Sequence, residues 1–219
     1  MSNSELFKQT RLAPILLSPI TNFTAPHTFA ALSLTGGAPP SGSPPPAGGT
    51  LSSGGGPAVY QLSFTIQPQA EDQWCWAAVS VSVCSFYSST TSWTQCSLVS
   101  AELGDPSCCA DGSTPGCNRA WTLNTALNRT NNLLNWAVGT VNSAGIQAEL
   151  AASHPLCCRI GWSNGGGHFV AMSGYQNDGV VEEVTIDDPF FGRSHVVLTV
   201  FATSYQNDGT WTHSHYTKP

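Results

Sequence analysis

Charge is what this 219-residue chain has least of: only 9% of its residues are Asp, Glu, Lys or Arg, and the net charge is -6. Binding nucleic acid or an anionic membrane takes clustered Lys and Arg, so neither is expected as a partner. Long apolar runs are missing as well. No stretch approaches the roughly 18 hydrophobic residues that a membrane-spanning helix requires, and none is expected. No C-x₂-C pair occurs among the eight cysteines, which argues against a zinc knuckle at Cys108, Cys109 and Cys117, and no metal or cofactor is expected. A strong export signal is lacking too. Leu12 to Leu17 follows Lys8 and Arg11, but Pro14 and Pro19 interrupt the apolar core and no small-x-small cleavage site follows.

The chain does have a hydrophobic fraction of 41%, enough for a globular core, and a surface that must rely on Ser, Thr, Asn, Gln and Gly. Eight cysteines (Cys75, Cys84, Cys96, Cys108, Cys109, Cys117, Cys157 and Cys158) are many for a reduced compartment. They suggest disulfides, and hence a protein secreted or delivered outside the cell. If one cysteine is a free nucleophile, seven remain, which allows three bridges and one spare thiol. Residues 36–57 are almost entirely Gly, Pro, Ser, Ala and Thr, the composition of a linker. Residues 1–57 therefore read as a disordered or propeptide-like segment with a possible autoinhibitory role, and residues 58–219 as the folded domain.

Within that domain, Ala58 to Ile66 alternates enough to be a strand. Cys75 to Tyr87 carries two signals, Val79-Ser80-Val81-Ser82-Val83 with the period of a strand and Trp76, Val79, Val83 and Phe86 with helical spacing, and a helix is expected there. Residues 88–118 read as a loop pinned by bridges, Arg119 to Trp136 as a helix, and Ser143 to Ala152 as a short helix capped by Ser143. The last third turns to β, with strands expected at Leu156–Trp162, His168–Tyr175, Val180–Ile186 and His195–Phe201. Tyr-Gln-Asn-Asp-Gly occurs at both 175–179 and 205–209, and each copy is expected to form a tight turn. His213 and His215 share a strand face; exposed strand residues are the expected reading of both.

The chemistry centres on Gln69-Ala70-Glu71-Asp72-Gln73-Trp74-Cys75-Trp76-Ala77-Ala78. A thiol opening a helix meets the positive end of the helix dipole, which favours thiolate, the nucleophilic form. Glu71 and Asp72 oppose this unless they point away or cap the helix. His168, in Gly165-Gly166-Gly167-His168-Phe169-Val170, opens a strand, and Asp188, in Asp187-Asp188-Pro189, ends the next. Cys, His and Asp in that order suit nucleophilic catalysis.

These residues resemble a papain-like cysteine peptidase of the compact bacterial kind that includes staphopains and effector peptidases of plant pathogens. The resemblance rests on Gln69 six residues before Cys75, Trp76 after it, His168 opening a strand that runs to Gly174-Tyr175, and Asp188 before Pro189. It covers about residues 59–219. It implies an α+β fold with an N-terminal helical lobe, a C-terminal antiparallel β lobe and the active-site cleft between them. It also implies a peptidase in which Cys75 and His168 form a thiolate–imidazolium pair, Asp188 orients the ring, and Gln69 with the Cys75 backbone N–H binds the oxyanion. Gln73 is the rival donor. Trp74, Trp76, Trp162 and Gly167 are candidates for contact with substrate, the glycines before His168 admitting an extended peptide. A peptide or protein substrate and a monomer are expected. An acyl transferase or isopeptidase with the same triad, or an inactive peptide-binding module, are the alternatives.

Overall fold

The computed structural model describes residues 58–219; the linker and the autoinhibitory segment expected within residues 1–57 lie outside them. Among the described residues the elements run β1 (Ala58–Gln61), α1 (Cys75–Tyr87), α2 (Gln95–Leu103), a 3-10 turn (Pro106–Cys109), α3 (Leu123–Arg129), β2 (Leu133–Val138), α4 (Ser143–Ala151), β3 (Leu156–Gly161), β4 (Gly167–Asn177), β5 (Glu182–Asp188), β6 (Gly192–Val197), α5 (Leu198–Ser204) and β7 (Thr210–Thr217). The fold is thus α+β, with helices mostly first and one antiparallel sheet of order β2-β7-β3-β4-β5-β6. The long β4 pairs with β5 along one edge; on the other, its first half pairs with β3 and its second half with β1.

Burial decides the ambiguous segment. Residues 75–84 are all buried, valines and serines alike. A period-two pattern marks an element with one wet face, and this element has none, so alternation carries no information about it. The buried serines are satisfied within the helix: Ser80 and Ser82 donate to the carbonyls of Trp76 and Ala78 at 2.8 and 2.7 Å. A strand would leave those hydroxyls without these partners.

Two apolar clusters lie on opposite faces of the sheet. On one, α1–α3 pack with Phe64, Cys157, Phe169 and Ala171; on the other, residues of α4 and α5 pack with Leu156, Cys158, Ile160, Val170 and Met172. The odd–even split along β3 and β4 is the sheet pleat.

Several expectations are corrected. Residues 88–118 contain a helix, α2, closed at its start by a reciprocal bond between Thr94 and Ser97 and at its end by Gly104 at φ 68°. The expected helix from Arg119 to Trp136 stops at Arg129. Asn131 turns left-handed at φ 66°, and Leu133 to Val138 instead pairs with β7. Asn142, not Ser143, caps α4, accepting from Gly145 N at 2.9 Å. The strand expected over His195–Phe201 gives way to α5 at Leu198, which buries Phe201.

The two Tyr-Gln-Asn-Asp-Gly copies adopt different forms. The first continues β4 and turns at Gly179, φ 91°. The second turns at Gln206 and Asn207, with φ of 52° and 66°, where α5 meets β7.

Two disulfides form rather than three: Cys96–Cys109 and Cys108–Cys117. Cys75, Cys84, Cys157 and Cys158 are free and buried. Burial pushes the Cys157 and Cys158 thiols far above the ordinary range, so both are inert. The bridges tie α2, the 3-10 turn and the loop at 117 into one knot. Closing loops of this length stabilises the fold by about 3 kcal/mol each. The Cys96→Ser, Cys109→Ser double variant is therefore expected to lose about 2–4 kcal/mol in urea unfolding. No loss would show that the knot is held by packing instead.

Candidate active site

Cys75 is the first residue of α1, with Trp74 as N-cap. No side chain caps this end and no acid occupies the first turn, so the backbone N–H of Cys75 has no partner within the helix. Glu71 and Asp72, expected as possible caps, do not cap. Burial, with Asp111 and then Asp72, raises the pKa of Glu71. The start of the helix is instead held from the disulfide knot: Trp74 Nε1 donates to Cys117 O at 2.9 Å and Gln73 N to Asn118 Oδ1 at 2.9 Å. Gly112 lies against the indole of Trp74, where an added Cβ would fall 2.6 Å from Cη2.

His168, the second residue of β4, is buried at 7% exposure. Its Nε2 lies 2.8 Å from Asp188 Oδ1, and Cys75 is among the groups that act on its protonation. Burial by itself would depress the imidazole. The Asp188 charge and hydrogen bond outweigh it, Cys75 adds to them, and the pKa stands raised at about 10. Trp162 stacks on the ring at 6.2 Å and Phe191 meets it edge-on at 6.3 Å.

Asp188 ends β5 and does two jobs at once. Its Oδ1 accepts from Phe190 N and Phe191 N at 2.7 and 2.9 Å, which forms the turn into β6, as well as facing His168. Its Oδ2 accepts from the Tyr205 hydroxyl at 2.8 Å. Burial would raise the carboxyl pKa, but the His168 charge and these bonds hold it lowered. Tyr205 is a site residue that sequence reasoning missed. The only signal was its place in a repeated turn motif, and nothing local to that motif points toward Asp188. Asp187, by contrast, is structural: it pairs with Arg193 Nε at 2.8 Å and accepts from Ser173.

Gln69 sits beside this turn, its backbone N–H donating to Pro189 O at 2.9 Å. Its side-chain Nε2 donates to Glu71 O and Asp72 O at 3.0 and 2.8 Å, and its Oε1 is buried without a partner. Trp74 and Trp76, expected to touch substrate, are 2% and 0% exposed. They are core supports of α1 instead, Trp76 Nε1 donating to Arg119 O at 3.1 Å. Trp162 is half-buried. Gly167, expected to clear room for substrate, clears room for Arg159: a Cβ there would fall 2.6 Å from its Nη2.

Among the described residues the one metal-like grouping is Asp105, Cys108 and Cys117. Its two sulfurs are bonded to each other, which removes them as ligands. His213 and His215 are not the exposed strand residues expected: His213 is half-buried, His215 is 3% exposed, and Trp136 stacks near both. Burial first, then His213, lowers His215 to about 3, so it is neutral. Among the described residues no helix is long and apolar enough to cross a membrane.

Residues 58–206 match the family described as papain-like cysteine protease AvrRpt2. No curated protein matches the chain.

The pair at His168 has a definite pH signature. A histidine pKa raised on folding contributes stability that is complete below about pH 6.5 and is lost as pH rises toward 10. The lowered Asp188 contributes above its ordinary range near 3.8 and is lost as pH falls through its lowered value. In Asp188→Asn, burial is opposed only by the smaller contribution of Cys75, and NMR titration is expected to place His168 well below about 10. An unchanged midpoint would refute control by Asp188. Tyr205→Phe is expected to cost about 1–3 kcal/mol in unfolding experiments, since it strips a buried carboxylate of a donor.

Proposed function

This chain belongs to the papain-like cysteine protease family of AvrRpt2, and we propose that it hydrolyses peptide bonds with Cys75 as nucleophile. What supports this reading is the buried His168–Asp188 pair, its imidazole raised in part by Cys75, a free thiol at a helix start. The proposed resting state is a Cys75 thiolate beside a His168 imidazolium. The thiolate attacks the scissile carbonyl carbon, forming the C–S bond. The carbonyl oxygen, now an oxyanion, takes hydrogen bonds from the unpartnered Cys75 N–H and from Gln69. To donate, Gln69 must release one of the two carbonyls its amide holds. As the tetrahedral adduct collapses, His168 gives its proton to the departing amine. The neutral ring then takes a proton from water, whose oxygen attacks the acyl-enzyme and expels the thiolate.

The substrate lies, in this proposal, in a cleft between the helices around α1 and the sheet edge at His168, with Trp162 on its wall. Two disulfides beside an essential thiol fit a protein secreted or delivered outside its cell of origin. Residues 1–57 are long enough to reach such a cleft and inhibit it.

A cleavage profile on mixed peptides tests the reading. Wild type is expected to cut and Cys75→Ala to be inert; equal cutting by both would refute it. Gln69→Ala should lose about 10²–10³ in kcat, the usual effect of removing one oxyanion donor. An amine added to the assay separates hydrolysis from acyl transfer. Iodoacetamide labelling near pH 6 that is no faster than free cysteine would favour a binding module.

A further inference from the structure

Among the described residues, Arg159 is a cation with no carboxylate partner. It lies in β3, opposite Phe169 of β4 and His213 of β7. Residues paired across antiparallel strands point to one face, and Phe169 packs with Cys75, Trp76 and Cys157. Arg159 therefore faces the side of the sheet that carries α1. Its guanidinium lies against Gly167, the residue before His168, where an added Cβ would fall 2.6 Å from Nη2, 2.7 Å from Cζ and 2.9 Å from Nε. Cys75 is near enough for its charge to act on this group.

The fork is fixed but not filled. Nη2 donates to Gly166 O at 2.9 Å and Nη1 to Thr212 Oγ1 at 3.0 Å. A guanidinium has five N–H donors, so three are left over. Arg129 and Arg193 pair with Glu102 and Asp187; among the described residues Arg159 pairs with no carboxylate. Its side chain is half-buried, where a missing counter-ion matters more than on an open surface. Apart from Cys75, the neighbours do not supply one. His213 is held below its ordinary pKa by burial and then by Arg159, and His215 is neutral, its Nδ1 buried without a partner.

We propose that Arg159 is a specificity-determining residue that binds the carboxylate of an Asp or Glu side chain within about two residues of the scissile bond. The proposal rests on the peptidase reading above. An extended peptide advances about 3.3 Å per residue, so a group adjoining Gly167, the residue before His168, addresses side chains close to the reacting carbonyl. A pre-positioned guanidinium fork matches a carboxylate in shape and charge. A neutral amide of the same size leaves the cation unpaired, and Lys or Arg at that position is repelled.

The test is a peptide library in which every Asp and Glu has an Asn or Gln counterpart, with products sequenced around the cut. Wild type is expected to favour the acid at one position by about tenfold or more in kcat/KM. Arg159→Gln brings that ratio to about one, and Arg159→Lys keeps part of it. A wild-type ratio near one, or an acid preference that survives in Arg159→Gln, overturns the proposal. So does an equal loss on both peptide sets, which would mean that the cation serves the thiolate or the fold. Should Arg159→Gln fail to fold, wild type and Arg159→Lys carry the test, the acid preference falling as salt rises from low to high. The same library captured on Cys75→Ala separates this claim from hydrolysis. Arg159-dependent capture of acidic peptides, with a wild type that cuts nothing, supports the subsite and sinks the peptidase; cutting by wild type without such selectivity does the reverse.

Discussion

A buried carboxylate facing a buried imidazole is the constraint on which the site depends. Asp188 and His168 are each nearly sealed from water, where an unpaired charge is costly, so each requires the other. Burial depresses the histidine and the carboxylate overrides it, which keeps a proton on the ring beside Cys75 at neutral pH. Asp188 is held in turn by two backbone N–H groups of its own turn and by the Tyr205 hydroxyl. A turn, a strand end and a helix end, distant in the chain, meet on one side chain.

The nucleophile depends on a different set of supports. The start of α1 has no side-chain cap, so its position is set from outside, by the knot of two disulfides that presents Cys117 O to Trp74 and Asn118 to Gln73. Trp76 closes the same corner from within the core. Residues expected to wall a cleft thus hold the helix start that carries Cys75. Leaving the first-turn N–H groups uncapped is also what an oxyanion site at Cys75 requires.

Much of this was legible in the chain. Gln69, Cys75, His168 and Asp188 stand at spacings that point to the family, and the β-rich final third followed from its β-branched runs and Asn-Asp-Gly turns. Element types failed where tertiary partners override local preference. Leu133 to Val138 forms a strand because β7 lies beside it, and Leu198 to Ser204 a helix because it buries Phe201 against Tyr205 and Trp211. The bridge count failed because Cys84, Cys157 and Cys158 act as small buried hydrophobes.

The sequence by itself determined the family and the α+β order of elements, because those reside in residue identity and spacing along the chain. Only the tertiary structure decided which cysteines bond, that Trp74 and Trp76 are supports, that Tyr205 holds Asp188, and that Arg159 lies against Gly167. Each of these is a contact between residues far apart in sequence. Burial and proximity across a sheet come from packing, and no local pattern encodes them.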